Sequence, residues 1–184
     1  MVCHLARILA AMSHRQPARG GRGWREGTQI SSNARTTRQI GRRLGRRALP
    51  GTLIALRGPL GAGKTQLAKG VAEGLGIDSV VNSPTFIIVN EHRGRLPLFH
   101  ADAYRLADGA EARAAGLFDE RQESGVTVIE WAERVEEWLP ADRLEIDLAI
   151  DPTRPGRRAV RWRAMGPLHD ALARSARLRS EPSR

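Results

Sequence analysis

The 184-residue sequence predicts one three-layer α/β domain built on a mixed β-sheet. Short apolar runs, typical of buried strands, alternate with stretches that carry apolar residues at the 3.6-residue spacing of a helix. Two further pairs of strand-like segments are separated by turn residues and predict hairpins. Parallel and antiparallel strands are therefore expected in the same sheet. The length fits a single domain with its own core.

The first predicted helix begins at Ser32 or Asn33, both good N-cap residues, and stops before Pro50-Gly51. The apolar run that follows predicts a strand buried on both faces. It leads through a glycine-rich loop into a second helix, which ends at Gly74 and Gly76. These elements are expected at residues 33–47, 52–56 and 64–75.

The second half of the chain predicts two hairpins and a further strand–helix unit. Arg93-Gly94 supplies turn residues for one hairpin, and Pro152–Gly156 supplies them for the other. The apolar run from Val126 to Ile129 predicts another buried strand. The expected elements are strands 86–89 and 96–100, helix 107–115, strand 126–129, helix 132–139, strands 144–150 and 158–163, and helix 167–178.

The two ends of the chain differ in composition from its middle. Residues 1–27 are rich in Arg and Gly with little periodic apolar pattern, which predicts a disordered extension. The folded domain is expected at residues 28–165, followed by a C-terminal helix and basic tail at 166–184. Residues 1–50 hold 11 arginines and one acid, which could form an RNA-binding face. Because only two of the 30 basic residues are lysines, a general preference for arginine explains the same observation.

Composition also excludes some classes of protein. Cys3 is the single cysteine, so the chain has no disulfide framework and no cysteine-based zinc site. Nowhere do about 18 apolar residues run together, so no membrane span is predicted. A cytoplasmic protein is expected.

Residues 58–65, Gly-Pro-Leu-Gly-Ala-Gly-Lys-Thr, match G-x-x-x-x-G-K-[ST] without a gap. The motif follows a predicted buried strand and opens a predicted helix, which is the setting that its chemistry requires. Its glycines let backbone amides converge on phosphate oxygens, and the start of the helix adds further N–H groups. Lys64 is expected on the β- and γ-phosphates and Thr65 on Mg²⁺. The predicted phosphate-binding residues are Gly61, Ala62, Gly63, Lys64, Thr65 and Gln66.

Two acids follow apolar runs at the edge of the predicted sheet where ligands bind. Glu130 follows Val126 to Ile129, and Asp102 follows the run that ends at His100. Either carboxylate could hold Mg²⁺ or orient water, and Glu130 is the favoured candidate. Residues 83–85, Ser-Pro-Thr, could close over the γ-phosphate or form an ordinary turn.

Four segments together resemble the TsaE (YjeE) family. They are GPLGAGKTQLAKG, SPTF, FHADAYRL and GVTVIEWAERVEEWLP, and the similarity extends from about residue 30 to residue 160. The resemblance implies a cytoplasmic P-loop NTPase-like protein that binds ATP and Mg²⁺ and hydrolyses ATP. It also implies a TsaB–TsaD complex as partner, with tRNA reached through that complex during threonylcarbamoylation of adenosine 37.

The resemblance also implies roles for individual residues. Glu130 is placed with Thr65 on the metal, Asp102 in the network that supports catalysis, and Thr85 in a switch that senses the γ-phosphate. Further positions implied near the nucleotide or partner surface are Thr37, Gly41, Trp131, Gly156 and Arg157.

Two alternatives remain open from the residues themselves. A small-molecule or nucleoside kinase would share the phosphate-binding motif, but the region around Arg113 and Arg121 shows no clear lid. A nucleic-acid-binding protein without enzymatic activity would use the basic ends of the chain.

Overall fold

The computed structural model describes residues 24–78, 89–106, 109–114 and 116–179, which form an α/β domain around one mixed seven-stranded sheet. The strands are β1 (Glu26–Ser31), β2 (Thr52–Arg57), β3 (Val89–His92), β4 (Leu98–Asp102), β5 (Val126–Glu130), β6 (Arg143–Ile150) and β7 (Arg158–Met165). The helices are α1 (Ala34–Arg47), α2 (Lys64–Gly74), α3 (Gly109–Ala114) and α4 (Pro167–Ser175), with 3₁₀ helices at Glu120–Ser124 and Ala132–Trp138. Within these ranges no helix is long and apolar enough to cross a membrane.

The strand order is β1-β7-β6-β2-β5-β4-β3, with a parallel centre and antiparallel margins. β2 pairs in parallel with both β5 and β6, and β4 pairs in parallel with β5. The β4–β5 register places Asp102 opposite Glu130 at the carboxyl ends of these strands. The sheet therefore brings the two acids and the loop that follows β2 to the same edge.

Apolar side chains cover the two faces of the sheet in separate clusters. On one face, α1, α2 and α4 pack over side chains from β2, β5 and β6 around the fully buried Leu56 and Ile146. On the other face, α3 and the 3₁₀ helix at Ala132–Trp138 pack over Ala55 and Ile129. Helices on both sides of a mixed sheet confirm the predicted three-layer α/β class.

Helices α1 and α2 pack with their backbones in close contact. A Cβ atom placed on Gly45 would lie 2.1 Å from the Val71 carbonyl oxygen. The same close approach occurs at Gly41, Gly70 and Gly74. These four glycines allow the two helices to fit together, so α1 is held firmly beside the helix that follows the phosphate-binding motif.

Ion pairs rather than apolar contacts occupy part of the second sheet face, along β6 and its neighbours. The Glu145 carboxylate accepts from the Arg57 guanidinium at 2.8 Å and from the Arg143 guanidinium at 2.7 Å, and its side chain is 5% exposed. Arg57 also contacts Glu136 at 3.3 Å, so Glu136 belongs to the same network. Such buried pairs are costly to break, because loss of one partner strands a buried charge.

The structure corrects several predicted boundaries. β1 was not predicted, and its first two residues, Glu26 and Gly27, lie inside the segment expected to be disordered. β4 begins and ends two residues later than expected, and β3 extends to His92, three residues beyond the end of the predicted strand 86–89. The helix expected at 132–139 is a 3₁₀ helix with a kink at Val135. Residues 1–23, 79–88, 107–108, 115 and 180–184 lie outside the described residues, and both ends of the helix expected at 107–115 are among them.

Candidate functional site

The loop between β2 and α2 has a backbone that requires glycine at two places. Gly58 has φ of +128°, and a Cβ there would lie 2.3 Å from the Leu148 carbonyl oxygen. Gly63 has φ of +103° and immediately precedes α2. Because L side chains rarely adopt these angles, substitution at either residue would change the loop. The first N–H groups of α2 have no acceptor within the helix, and they lie at the end where this loop joins it.

The side chain of Lys64 lies folded back against its own loop and is 4% exposed. Its Nζ donates to the carbonyl oxygens of Gly58 at 2.6 Å and Pro59 at 3.0 Å. It also lies 3.5 Å from the centroid of the Trp131 ring, a cation–π contact. The ammonium group is thus held at the loop by two carbonyls and one aromatic face.

Burial lowers the pKa of Lys64, and nearby carboxylates oppose that effect. In order of size, the opposing charges are those of Glu133, Glu130 and Asp102. The ammonium group suits a phosphate ligand, because a bound phosphate would stabilise its charged form directly.

Glu130 stands at the centre of a buried chain of hydrogen bonds. The Thr65 hydroxyl donates to Glu130 Oε2 at 2.8 Å, and His100 Nε2 lies 2.9 Å from Glu130 Oε1. Glu130 is 2% exposed and His100 is fully buried. Since a carboxylate only accepts, Nε2 of His100 carries the proton. The other ring nitrogen, Nδ1, has no hydrogen-bond partner within the described residues.

An aromatic pair covers the outer side of the site. The Tyr104 and Trp131 rings lie with centroids 4.8 Å apart, and the Arg134 guanidinium lies 5.7 Å from the Tyr104 ring. Asp102 Oδ1 accepts from the Tyr104 backbone N–H at 2.9 Å, which ties this turn to the end of β4. Trp131 has φ of +57°, an uncommon angle for a residue with a side chain. This backbone conformation directs the residue after Glu130 over Lys64.

Thr37 on α1 and the loop between β6 and β7 approach the phosphate-binding loop from another side. Thr37 is buried, and its hydroxyl lies 2.7 Å from that of Ser31. Its methyl group lies 3.7 Å from the position that a Cβ atom would take on Gly63. Arg158 donates to the carbonyl oxygens of Ala62 and Gly61, each at 2.9 Å. The β6–β7 hairpin is therefore fixed to the loop.

A cavity of about 670 Å³ lies beside this junction. Its lining residues are Ile30, Ser32, Thr153, Arg154, Pro155, Gly156 and Arg157. Arg157 is partly exposed and contacts the buried Asp151 carboxylate at 3.6 Å. The volume lies within the range of small-molecule sites.

The structure brings most predicted site residues together, with specific exceptions. Lys64, Thr65, Glu130 and Asp102 meet at one edge, and Thr37 is adjacent. Gly61, Ala62, Gly63 and Gln66 lie in the loop and the first turn of α2, and Gly156 and Arg157 line the neighbouring cavity. Thr85 lies outside the described residues. Gly41 packs on the α2 backbone at Leu67, where it serves helix packing.

Sequence reasoning missed His100 and Arg158. A lone histidine in an apolar strand has no metal-ligand spacing, and Arg158 lies within a predicted strand. The sequence signal that could have identified His100 is its position two residues before Asp102, because alternate residues of a strand share one face.

No group of three or more His, Cys, Asp and Glu side chains that could hold a metal occurs in the described part of the chain. A glycine-rich loop between a buried parallel strand and a helix, with a buried lysine and a strand-end carboxylate, defines a P-loop NTPase-like domain.

Comparison with known proteins identifies the family. The profile described as "Threonylcarbamoyl adenosine biosynthesis protein TsaE" matches residues 31–159. The tRNA threonylcarbamoyladenosine biosynthesis protein TsaE of Bacillus subtilis is 42% identical over 141 residues, which cover 76% of this chain and 87% of that protein. The Treponema pallidum protein of the same name is 40% identical over 121 residues, covering 66% and 90%. The chain belongs to the TsaE family.

A solved structure supports the same conclusion. The crystal structure of Bacillus subtilis YdiB superimposes with a TM-score of 0.69 at 34% sequence identity. The match covers 85% of this chain and 97% of that one.

Proposed function

We propose that this chain is a Mg²⁺-dependent ATPase that supports a TsaB–TsaD-type complex in threonylcarbamoylation of adenosine 37 of tRNA. The ATPase part is carried by one observation. The Thr65 hydroxyl and the Glu130 carboxylate, on different elements, meet at 2.8 Å beside a buried Lys64. This is the arrangement by which P-loop proteins grip a nucleoside triphosphate with its metal.

The loop and Lys64 bind the phosphates. Backbone N–H groups of Gly61 to Gln66 present partial positive charge, and Lys64 exchanges the carbonyls of Gly58 and Pro59 for phosphate oxygens. The exchange exposes no charge to solvent, since the ammonium moves from one buried acceptor set to another.

The residues present fit a magnesium ion. Thr65 and Glu130 each offer an oxygen, the type of ligand that Mg²⁺ prefers. The ion keeps several waters, so it needs few protein groups when phosphates are bound. Thr65 and Glu130 would hold it, and it would neutralise charge on the phosphate oxygens. His100 fixes the Glu130 carboxylate from behind, so that Oε2 stays directed toward Thr65.

Asp102 supplies a second carboxylate at the same edge and is proposed to orient the attacking water. Thr85 is proposed to sense the γ-phosphate. The cavity beside Arg158 is proposed to take the nucleoside, with Arg157 in its lining and Thr37 on the neighbouring helix.

The role in tRNA modification is inferred from the relatives, whose names place them in threonylcarbamoyladenosine biosynthesis. The proposed partner is a TsaB–TsaD-type complex, which would bind tRNA and carry out the transfer. Hydrolysis by the isolated chain is expected to be slow, because P-loop ATPases often need a partner to complete the site. A cytoplasmic location is proposed with that role.

Arg113 and Arg121, the two arginines considered for a kinase lid, contact other side chains of the described residues. Arg113 lies 5.2 Å from the Trp138 ring, and Arg121 contacts the Asp119 carboxylate at 3.3 Å. These contacts lie in the helical layer that packs on the opposite face of the sheet from α2, so the geometry favours the ATPase over the kinase.

The test compares wild type with Lys64→Ala, Glu130→Ala and the control Lys69→Ala, which removes the other lysine. ATP affinity is measured by calorimetry, and phosphate release is measured with Mg²⁺. Lys64→Ala should lose binding, Glu130→Ala should bind but not hydrolyse, and Lys69→Ala should match wild type. Hydrolysis that persists in Glu130→Ala would remove this carboxylate from the mechanism.

A further inference from the structure

Helix α1 presents a strongly basic face that the proposed ATPase site does not use. Its 14 residues include six arginines and no acid. All six are exposed, whereas Ile40 and Leu44 on the opposite side are buried in the core. We call the six arginines the α1 basic face, and its members are Arg35, Arg38, Arg42, Arg43, Arg46 and Arg47.

The spacing makes this face a continuous stripe. Arg35, Arg42 and Arg46 lie seven and four residues apart, so they fall on nearly the same side of the helix. At 1.5 Å per residue, they extend over about 16 Å. Arg179, four residues after the C-terminal end of α4, adds positive charge beside the stripe. Partial burial lowers the pKa of Arg43, and repulsion by the Arg179 charge lowers it further.

Intramolecular acids do little to neutralise the stripe. Glu73 on α2 contacts Arg38 at 2.6 Å. No ion pair joins Arg35, Arg42 or Arg46 to a carboxylate of the described residues. Like charges four residues apart oppose helix formation, and a cation in the first turn opposes the helix dipole. A general preference for arginine over lysine explains the type of base, but it does not explain the absence of acids.

We propose that the α1 basic face binds the phosphate backbone of RNA directly. A stripe of arginines along one helix is the electrostatic footprint of such a contact, and guanidinium groups bind phosphate in bidentate fashion. An anionic membrane is the less favoured partner, because helices that lie on membranes insert an apolar face. The apolar face of α1 is already covered by the protein core. The proposal goes beyond contact with tRNA through partner proteins.

The test measures binding of the full chain to an unmodified tRNA transcript by fluorescence anisotropy from about 50 to about 300 mM KCl. The variant is Arg42→Gln/Arg46→Gln. The control is Arg113→Gln/Arg121→Gln, which removes the same charge from the opposite helical layer. Loss of two phosphate contacts should make the plot of log K against log salt shallower by about 2. The control should match wild type, and ATP affinity should stay unchanged in both.

Three results would overturn the proposal. Equal weakening by both pairs would show that net charge alone drives binding. An unchanged salt dependence in the α1 variant would show that α1 makes no contact. Binding to phosphatidylserine vesicles that depends on Arg42 and Arg46, without binding to tRNA, would favour the membrane. Because ATP affinity is measured in parallel, failure here is distinct from failure of the ATPase proposal.

Discussion

Replacement of His100 is expected to slow ATP hydrolysis without weakening ATP binding. His100 is fully buried on β4 and its Nε2–H donates to Glu130 Oε1 at 2.9 Å. His100→Leu keeps a side chain of comparable size in the strand but removes the donor. Glu130 would then keep its contact with Thr65 and lose the one that fixes its other oxygen.

The size of the effect follows from the hydrogen bond. A buried hydrogen bond to a charged group is worth about 1.5–3 kcal/mol. At about 1.4 kcal/mol per tenfold, its loss lowers kcat by about 10- to 100-fold if the bond serves to position the carboxylate. The same range is typical of residues that orient a metal ligand from behind. KM for ATP should change little, because the loop amides and Lys64 still hold the phosphates.

The assay is steady-state phosphate release across a Mg²⁺ titration, with melting temperature recorded for each variant. His100→Gln is the matched control, since its side-chain amide can donate in place of Nε2–H. The Gln variant should recover most of kcat, whereas the Leu variant should also need more Mg²⁺ for half-maximal rate. If Leu and Gln variants lose kcat equally, or if neither loses it, the positioning role is wrong.

Two further predictions concern stability. Gly45→Ala should lower the free energy of unfolding by at least about 1 kcal/mol, because its Cβ would meet the Val71 carbonyl oxygen at 2.1 Å. Gly156→Ala should not, because its Cβ would meet only the Ser32 carbonyl oxygen, at an ordinary contact distance of 3.8 Å; equal denaturation midpoints for the two variants would contradict this. His169 is buried and accepts from the Leu53 N–H, and burial lowers its pKa. Unfolding free energy should therefore fall as pH drops below about 6.5, where only the unfolded histidine gains a proton. Chemical denaturation should show a shallower fall in His169→Gln, and an equal slope would refute it.

The parts of the fold that are encoded locally could be predicted from the sequence. β2, the phosphate-binding loop and α2 form one contiguous segment, in which the apolar run, the glycines and the helix follow directly from residue type. β5 is likewise a buried apolar run, and Glu130 at its end could be identified before the structure. Local pattern therefore identified the loop proposed to bind phosphate and the carboxylate that the structure places beside it.

β1 could not be predicted, because its buried positions are Gly27, Gln29 and Ser31. Apolar alternation is the signal for a strand, and here the side facing the protein is polar. The strand exists because β7 offers a free edge for pairing, with Gln29 opposite Val160. The edge of β7 exists only in the assembled sheet, so residues 26–31 carry no sequence signal for this pairing.

His100 and Arg158 were missed for a related reason. His100 contacts Glu130 only because β4 and β5 pair in parallel, and the two residues are 30 positions apart in the chain. Arg158 reaches the loop carbonyls of Gly61 and Ala62 from 97 and 96 positions away. Residue type shows what these side chains can donate, but the strand order decides what they meet.

The most direct test of the proposed function is multiple-turnover formation of threonylcarbamoyladenosine by a purified TsaB–TsaD complex. The reaction is run without this chain, with wild type and with Glu130→Ala, and the product is counted per complex. We predict that wild type sustains many turnovers, whereas Glu130→Ala gives no more product than the complex alone. If the active complex gives the same yield under all three conditions, the chain does not support that reaction through ATP hydrolysis, and the proposed function is contradicted.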